Sequence, residues 1–309
     1  MNAEQFQALA EQGYNRIPVD REILADAETP LSTYLKLAKG QFSYFFESVQ
    51  GGEKWGRYSI IGLPCRTVLR VKGSTVTVET DGEVVESVES EDPFDFVTEF
   101  KQRFNVAPVQ DRQRFAGGLV GYFAYDTVRY VETSIGPAKG RDEIDTPEIL
   151  LMVSEEVVVF DNLRGTISFI LNADPSEADA WQQAQKRLDE LQASLLQPTP
   201  MPETVTDKEI GIEQFQNHFP RAEFESAVER IKDYIVAGDV MQVVLAQRMS
   251  VPFAGDPMNI YRALRYLNPS PYMVFFNMGD HHVVSASPEI LARVENGKIT
   301  VRPLAGTRK

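Results

Sequence analysis

Residues 67–88, TVLRVKGSTVTVETDGEVVESV, carry the clearest pattern in the chain. Three short runs rich in valine and threonine follow one another there: residues 67–71, 75–80 and 83–88. Gly73-Ser74 and Asp81-Gly82 separate them. Because Asp-Gly between two alternating runs is a strong hairpin signal, the stretch predicts three neighbouring antiparallel strands.

Further strands and helices are predicted on both sides of this stretch. The strand candidates are residues 42–49, 58–61, 117–125, 149–160, 166–171, 240–251 and 272–278. The helix candidates are residues 93–104, 176–196, 220–237 and 257–267. Short strands with turns between them, and helices interspersed, indicate an α+β fold with layered antiparallel β-sheets flanked by helices.

Composition excludes several classes of protein. The 309 residues are 43% hydrophobic and 25% charged, which is typical of a globular chain. The net charge of −14 argues against nucleic acid or an anionic membrane as a partner. Without an apolar run of membrane-spanning length or a signal-peptide core, we expect a cytoplasmic protein. A lone cysteine, Cys65, excludes an internal disulfide.

A domain boundary is predicted near residue 205. Residues 197–213 contain Pro198, Pro200 and Pro202 in a polar setting, which is typical of a linker. Residues 1–205 would then form one domain, and 206–309 the start of a second. Since residues 303–309 continue as a loop after a short strand, we expect the C-terminal domain to be incomplete within these 309 residues.

Two segments in the C-terminal part have side chains suited to binding. Gln242 and Arg248 share one face of the predicted strand 240–251, which fits either a pocket wall or a solvated edge strand. Residues 302–309, RPLAGTRK, combine glycine, a hydroxyl and cations. Such a loop suits an anionic small molecule, although an ordinary basic turn fits as well.

Two further segments combine apolar and polar groups. Residues 268–273, NPSPYM, hold prolines, an aromatic ring and a thioether, which suit either a pocket or a turn with core side chains. Residues 45–48, FFES, end an apolar strand with a carboxylate and a hydroxyl. They indicate either a ligand site or a polar strand terminus.

Together these segments resemble the anthranilate synthase component I family, whose members use chorismate. The resemblance runs along nearly the whole chain and includes the segments above. Its other ordered motifs are residues 56–62 (GRYSIIG), 117–122 (GGLVGY), 125–126 (YD), 238–239 (GD) with 242–244 (QVV), and 285–289 (SASPE).

The resemblance implies a lyase of tryptophan biosynthesis. Chorismate and ammonia would give anthranilate and pyruvate, with ammonia supplied by a glutamine amidotransferase subunit, component II. Mg²⁺ would be the cofactor, and L-tryptophan a feedback inhibitor. The family's magnesium-binding glutamates and catalytic histidine correspond to positions beyond residue 309. No metal ligand is therefore assigned in this chain, and we expect the chain to be inactive alone.

The resemblance also assigns site residues. Gly306 and Thr307 would contact chorismate, and Thr307 and Gln242 are the catalytic candidates. A tryptophan site would be formed by Ser48, Pro271, Tyr272 and Met273, with Glu47 nearby; Tyr272 also fits a core position.

Two alternatives stay open at this stage. Aminodeoxychorismate synthase component I, or another chorismate enzyme, is disfavoured by Ala305 and Gln242, because those families carry lysine at one or other of these positions. A non-catalytic fragment that binds tryptophan or the partner subunit is the second alternative.

Overall fold

The computed structural model describes residues 1–49, 56–108, 115–137, 142–203 and 210–301. The chain divides into two compact units, one of residues 1–201 with 260–309 and one of residues 202–259. No helix in the described ranges is long and apolar enough to cross a membrane.

Seven α-helices and sixteen strands form within the described ranges. The helices are α1 (Ala3–Glu11), α2 (Pro30–Leu37), α3 (Pro93–Gln102), α4 (Val128–Val131), α5 (Ala180–Leu195), α6 (Arg221–Ala237) and α7 (Pro257–Leu267). The strands are β1 (Ile17–Leu24), β2 (Ser43–Glu47), β3 (Tyr58–Gly62), β4 (Thr67–Lys72), β5 (Thr75–Thr80), β6 (Glu83–Glu89), β7 (Gly118–Phe123), β8 (Ile149–Ser154), β9 (Glu156–Asp161), β10 (Thr166–Ala173), β11 (Gln216–Asn217), β12 (Met249–Ser250), β13 (Tyr272–Asn277), β14 (His282–Ser287), β15 (Arg293–Glu295) and β16 (Lys298–Thr300).

The first unit contains two larger antiparallel sheets. A seven-stranded sheet has the order β1-β10-β9-β3-β2-β13-β14, and a five-stranded sheet has the order β6-β5-β4-β8-β7. The predicted hairpins of residues 67–88 are confirmed as β4-β5 and β5-β6. The α+β fold of layered antiparallel sheets with flanking helices is confirmed as well.

Helix α3 covers the outer face of the five-stranded sheet. The side chain of Asp92 caps it by accepting a 2.9 Å hydrogen bond from the backbone N–H of Phe94, and Pro93 begins the helix. Phe96 and Phe100 are buried against Leu69 and Leu151 of the sheet.

The inner face of the five-stranded sheet packs against the seven-stranded sheet. Val68, Leu150 and Met152 from the first sheet form one core cluster with Tyr44 and Phe276 from the second. These side chains are between 0 and 6% exposed, so the layered arrangement is held by apolar burial between the sheets.

The second unit departs from the sequence prediction. Only Met249–Ser250 of the predicted strand 240–251 is a strand, paired with Gln216–Asn217. The prediction is therefore wrong for residues 240–248. Alternating side chains do not make a strand unless a neighbouring strand accepts its backbone hydrogen bonds. Helix α6, in contrast, is confirmed and ends at Gly238, whose φ is +86°.

The two units share one boundary with the predicted domains. The change of unit after residue 201 lies close to the predicted boundary at 205. Residues 260–309 belong to the first unit, because β13 pairs with β2 in the seven-stranded sheet. The assignment of residues 1–205 to a regulatory domain, and of 206–309 to the start of a chorismate-binding domain, stays a prediction.

The buried carboxylate of Asp161 organises the turn between β9 and β10. It accepts a 2.6 Å hydrogen bond from Arg57 Nη2, and bonds of 3.1 and 3.2 Å from the backbone N–H groups of Leu163 and Arg164. Burial alone would raise the pKa of this carboxyl. The Arg57 guanidinium and the two N–H groups outweigh burial and hold the pKa below its ordinary value.

We expect Asp161→Asn to lower the free energy of unfolding by about 2 kcal/mol at pH 7, since charge-assisted hydrogen bonds are lost. A lowered pKa in the folded state stabilises the protein above the ordinary value of 3.8. That stabilisation is lost as the pH falls through the folded-state value. Urea unfolding of both proteins between pH 7 and pH 3 tests this. A difference that stays constant down to pH 3 would contradict it.

Candidate functional site at the ends of β2 and β13

The predicted tryptophan-site residues come from two distant segments that meet in the seven-stranded sheet. Strand β13 pairs antiparallel with β2, and Met273 is the register partner of Glu47. Beyond the end of β2, the backbone N–H of Val49 donates a 3.1 Å hydrogen bond to the carbonyl of Ser270. The backbones of Glu47 and Ser48 therefore run beside those of residues 270–273.

The side chains of this pair of strands lie on two faces of the sheet. Directly paired residues share a face, so Glu47 and Met273 point the same way, and Met273 is fully buried. Alternation along β13 places the half-buried Tyr272 on the opposite face, and Ser48 follows the last residue of β2. The structure thus brings the five predicted residues together along the backbone. It places the side chains of Glu47 and Met273 on one face of the sheet and that of Tyr272 on the other.

The Glu47 carboxylate is already engaged by helix α7. Its side chain is 4% exposed, and Oε1 accepts hydrogen bonds from the Tyr261 hydroxyl at 2.6 Å and from Arg265 Nε at 2.5 Å. Oε2 accepts from Arg265 Nη2 at 3.2 Å. We call these three residues the Glu47 clamp. With three donors on two oxygens, this carboxylate is held by the protein itself.

The surroundings of Arg265 and Tyr261 keep both side chains protonated. The hydrogen bonds that Arg265 donates to Glu47 raise the pKa of Arg265 more than burial lowers it, so the guanidinium stays positive. Burial raises the pKa of Tyr261, and the negative charge of Glu47 raises it further. Tyr261 therefore stays a neutral phenol whose O–H donates a hydrogen bond to the carboxylate.

Tyr261 and Arg265 were missed by the sequence analysis. They lie four residues apart in α7, a spacing that puts two side chains on the same helix face. This four-residue spacing was therefore visible in the predicted helix 257–267. Their partner Glu47 could not be found in this way, because it lies more than 200 positions away in the sequence.

The predicted chorismate residues are not brought together by the described structure. Gln242 is exposed in an irregular stretch of the second unit, so the strand predicted to set it on one face with Arg248 does not form there. Gly306 and Thr307 lie outside the described residues. Their roles stay predictions.

The described residues do not fit a metal centre. No group of three or more His, Cys, Asp or Glu side chains there could hold an ion. No step of a mechanism is therefore assigned to a metal bound by this part of the chain.

A cavity of about 580 Å³ lies elsewhere in the first unit, against β7 and β8. It is lined mainly by apolar side chains, with Arg16, Lys101 and Asn172 among the polar ones. The amide oxygen of Asn172 is buried without a hydrogen-bond partner. None of the predicted site residues that the structure describes lines this cavity.

Comparisons with known proteins give one consistent answer. The family model described as chorismate binding enzyme matches residues 43–309. Proteins named anthranilate synthase component 1 from Pseudomonas aeruginosa and Neisseria gonorrhoeae are 57% and 46% identical over the whole chain. The chain spans 63% and 62% of their lengths. A crystal structure of anthranilate synthase component I from Streptococcus pneumoniae superimposes with a TM-score of 0.63 at 30% identity, covering 90% of this chain and 59% of that one.

Proposed function

Because the chain belongs to the chorismate-binding enzyme family, we propose that it acts as component I of anthranilate synthase. The observation that carries this proposal is its similarity, at 57% identity along the whole chain, to a relative of that name. The chain spans about 63% of that relative's length, so the activity belongs to a polypeptide that includes the corresponding remainder.

The proposed reaction converts chorismate and ammonia into anthranilate, pyruvate and water. Ammonia adds to the ring and the ring hydroxyl leaves as water. The enolpyruvyl ether bond then breaks, which releases pyruvate and makes the ring aromatic. Ammonia comes from a glutamine amidotransferase subunit, and Mg²⁺ is the proposed cofactor.

Each site residue has a proposed part in this reaction. Gly306 offers a backbone N–H, and Thr307 a hydroxyl, to the carboxylates of chorismate. Gln242 and Ala305 keep two positions neutral where other chorismate enzymes carry lysine. A neutral pair favours attack by ammonia over attack by a lysine amine or by water that a lysine base has activated.

Inhibition by tryptophan is the proposed role of the site at the ends of β2 and β13. Support comes from the strand register, which sets Glu47 opposite Met273 and brings Ser48 beside the turn at residues 270–271. Prolines on one side and paired strands on the other give a rigid backbone, which lowers the entropy lost on binding.

The polypeptide purified from its source cells, with its intact mass determined, should form anthranilate from chorismate, ammonium chloride and Mg²⁺. Anthranilate fluorescence and coupled pyruvate reduction measure the two products. Both signals should disappear without ammonium and after chelation with EDTA. A product that is aminodeoxychorismate, with no pyruvate released, would contradict the proposal.

The same preparation distinguishes the proposed enzyme from the remaining alternative, a non-catalytic binding fragment. A chain that binds tryptophan or the amidotransferase but forms neither product would be a binding module. Adding glutamine and component II in place of ammonium tests the partner. The proposal expects anthranilate in that case as well. The cytoplasmic location stays a prediction.

A further inference from the structure

The Glu47 clamp joins the two segments of the proposed tryptophan site. Glu47 is the last residue of β2, and Ser48 follows it directly. Tyr261 and Arg265 lie in the last two turns of α7, which ends at Leu267. Only residues 268–271 connect the end of this helix to β13. The position of α7 on Glu47 therefore limits where residues 270–273 can lie.

The surroundings of the clamp are aromatic. The Tyr261 ring lies 5.4 Å from the ring of Phe45 and 5.9 Å from that of Phe275. Placing a carboxylate among such side chains has a desolvation cost that an apolar residue would avoid. The Glu47 side chain is 4% exposed, whereas that of Arg265 is 41% exposed, so only the carboxylate bears the full cost of burial. Such a pair is weak evidence for stability alone, and its best-attested use is to set one arrangement of neighbouring elements.

The geometry of the clamp suits that use. Tyr261 is fully buried and contributes one directional O–H bond. Arg265 contributes two N–H groups from one planar guanidinium, one to each carboxylate oxygen. Three directional bonds fix both the depth and the rotation of α7 against the end of β2.

We propose that Tyr261 and Arg265 are positioning residues that hold Glu47, and through it Ser48 and residues 271–273, in the arrangement that binds tryptophan. This inference rests on the proposed function, since it assigns these two residues to the regulation of that enzyme. Neither residue is assigned a contact with chorismate or with tryptophan.

The test uses the polypeptide as purified from its source cells and three variants of it. Arg265→Met removes the guanidinium but keeps most of the side-chain stem, Arg265→Lys keeps the charge, and Tyr261→Phe removes one oxygen atom. Calorimetry gives the Kd for tryptophan, and the anthranilate assay gives kcat and KM for chorismate with its half-inhibitory tryptophan concentration.

Tryptophan binding should weaken about tenfold or more in Arg265→Met and about threefold in Tyr261→Phe, with a partial loss in Arg265→Lys. The half-inhibitory concentration should rise in parallel, while kcat and KM change less than about twofold. If Arg265→Met does not fold, Tyr261→Phe still decides the question, because it keeps the ring and the ion pair.

Two control variants distinguish a specific effect on the tryptophan site from a general loss of protein stability. Arg66→Met removes a guanidinium that binds Asp81 on the surface, where both side chains are more than half exposed. Val78→Ala loosens the buried cluster beneath α3. Both controls should bind tryptophan as the unchanged protein does, even where Val78→Ala lowers the melting temperature as much as Tyr261→Phe.

A double-mutant cycle tests whether Arg265 affects tryptophan binding through its contact with Glu47. Glu47→Gln combined with Arg265→Met should weaken tryptophan binding no more than the worse single variant, because both changes break the same contact. Additive losses would overturn the inference. So would unchanged affinity in all three clamp variants when the unchanged protein binds tryptophan. A protein that forms anthranilate but does not bind tryptophan would overturn both the inference and the proposed inhibition, and would leave the proposed reaction intact.

Discussion

Gly121→Ala should lower the free energy of unfolding by about 4 kcal/mol or more, which places it among exceptional single substitutions. A Cβ at this position would lie 1.8 Å from the carbonyl oxygen of Leu150 and 3.0 Å from the Cα of Leu151. These are backbone atoms of β8, the strand that pairs with β7. Because β8 also pairs with β4, it cannot withdraw without breaking a second ladder.

Urea unfolding followed by circular dichroism measures this effect, and soluble yield measures it if the variant does not fold. The matched control is Gly82→Ala. Gly82 has φ +84° and nothing within 4 Å of an added Cβ, so only the left-handed backbone is strained. That strain costs about 1 to 2 kcal/mol. Equal losses in the two variants would show that the contact with β8 does not matter.

Gly62→Ala should lower the free energy of unfolding by about 3 kcal/mol, for a different reason. An added Cβ would lie 1.9 Å from Cε1 of Tyr44, a ring in the neighbouring strand β2. Tyr44 is fully buried between the two sheets, and its hydroxyl is hydrogen bonded to Ser154 Oγ at 2.8 Å. The ring can move away only by losing that bond and its packing.

The obstacle at Gly62 is a side chain, and it can therefore be removed. Tyr44→Leu alone should cost about 3 kcal/mol through the lost packing and hydrogen bond. The double variant should be more stable than the sum of the two losses predicts, by about 2 kcal/mol. Chemical unfolding of the four proteins gives this coupling. Strict additivity would mean that the ring does not limit position 62.

Turns and helix starts could be predicted from the sequence wherever a short stretch determines its own conformation. The Asp81-Gly82 turn with its alternating flanks identified two hairpins, and Asp92 with Pro93 identified the start of α3. In each case the energetic preference arises from residues within a few positions of one another, so a single sequence contains it.

Strand pairings between segments far apart in the sequence could not be predicted from local patterns. The run from 240 to 248 alternates as a strand would but has no neighbouring strand, so its pattern was misleading. The pairing of β13 with β2 joins residues more than 200 positions apart, and no local sequence pattern predicts it. Each strand has many possible partners, and which of them it pairs with depends on how the whole chain packs.

The candidate site shows the same division. The sequence alone, read through its motifs, determined the family of the chain and the segments 45–48 and 268–273 as a possible site. Only the tertiary structure decided that the Glu47 carboxylate is bound by Tyr261 and Arg265, on the face opposite to Tyr272. The physical reason is that a motif records which groups are present, whereas burial and hydrogen bonding depend on the elements that fold against them.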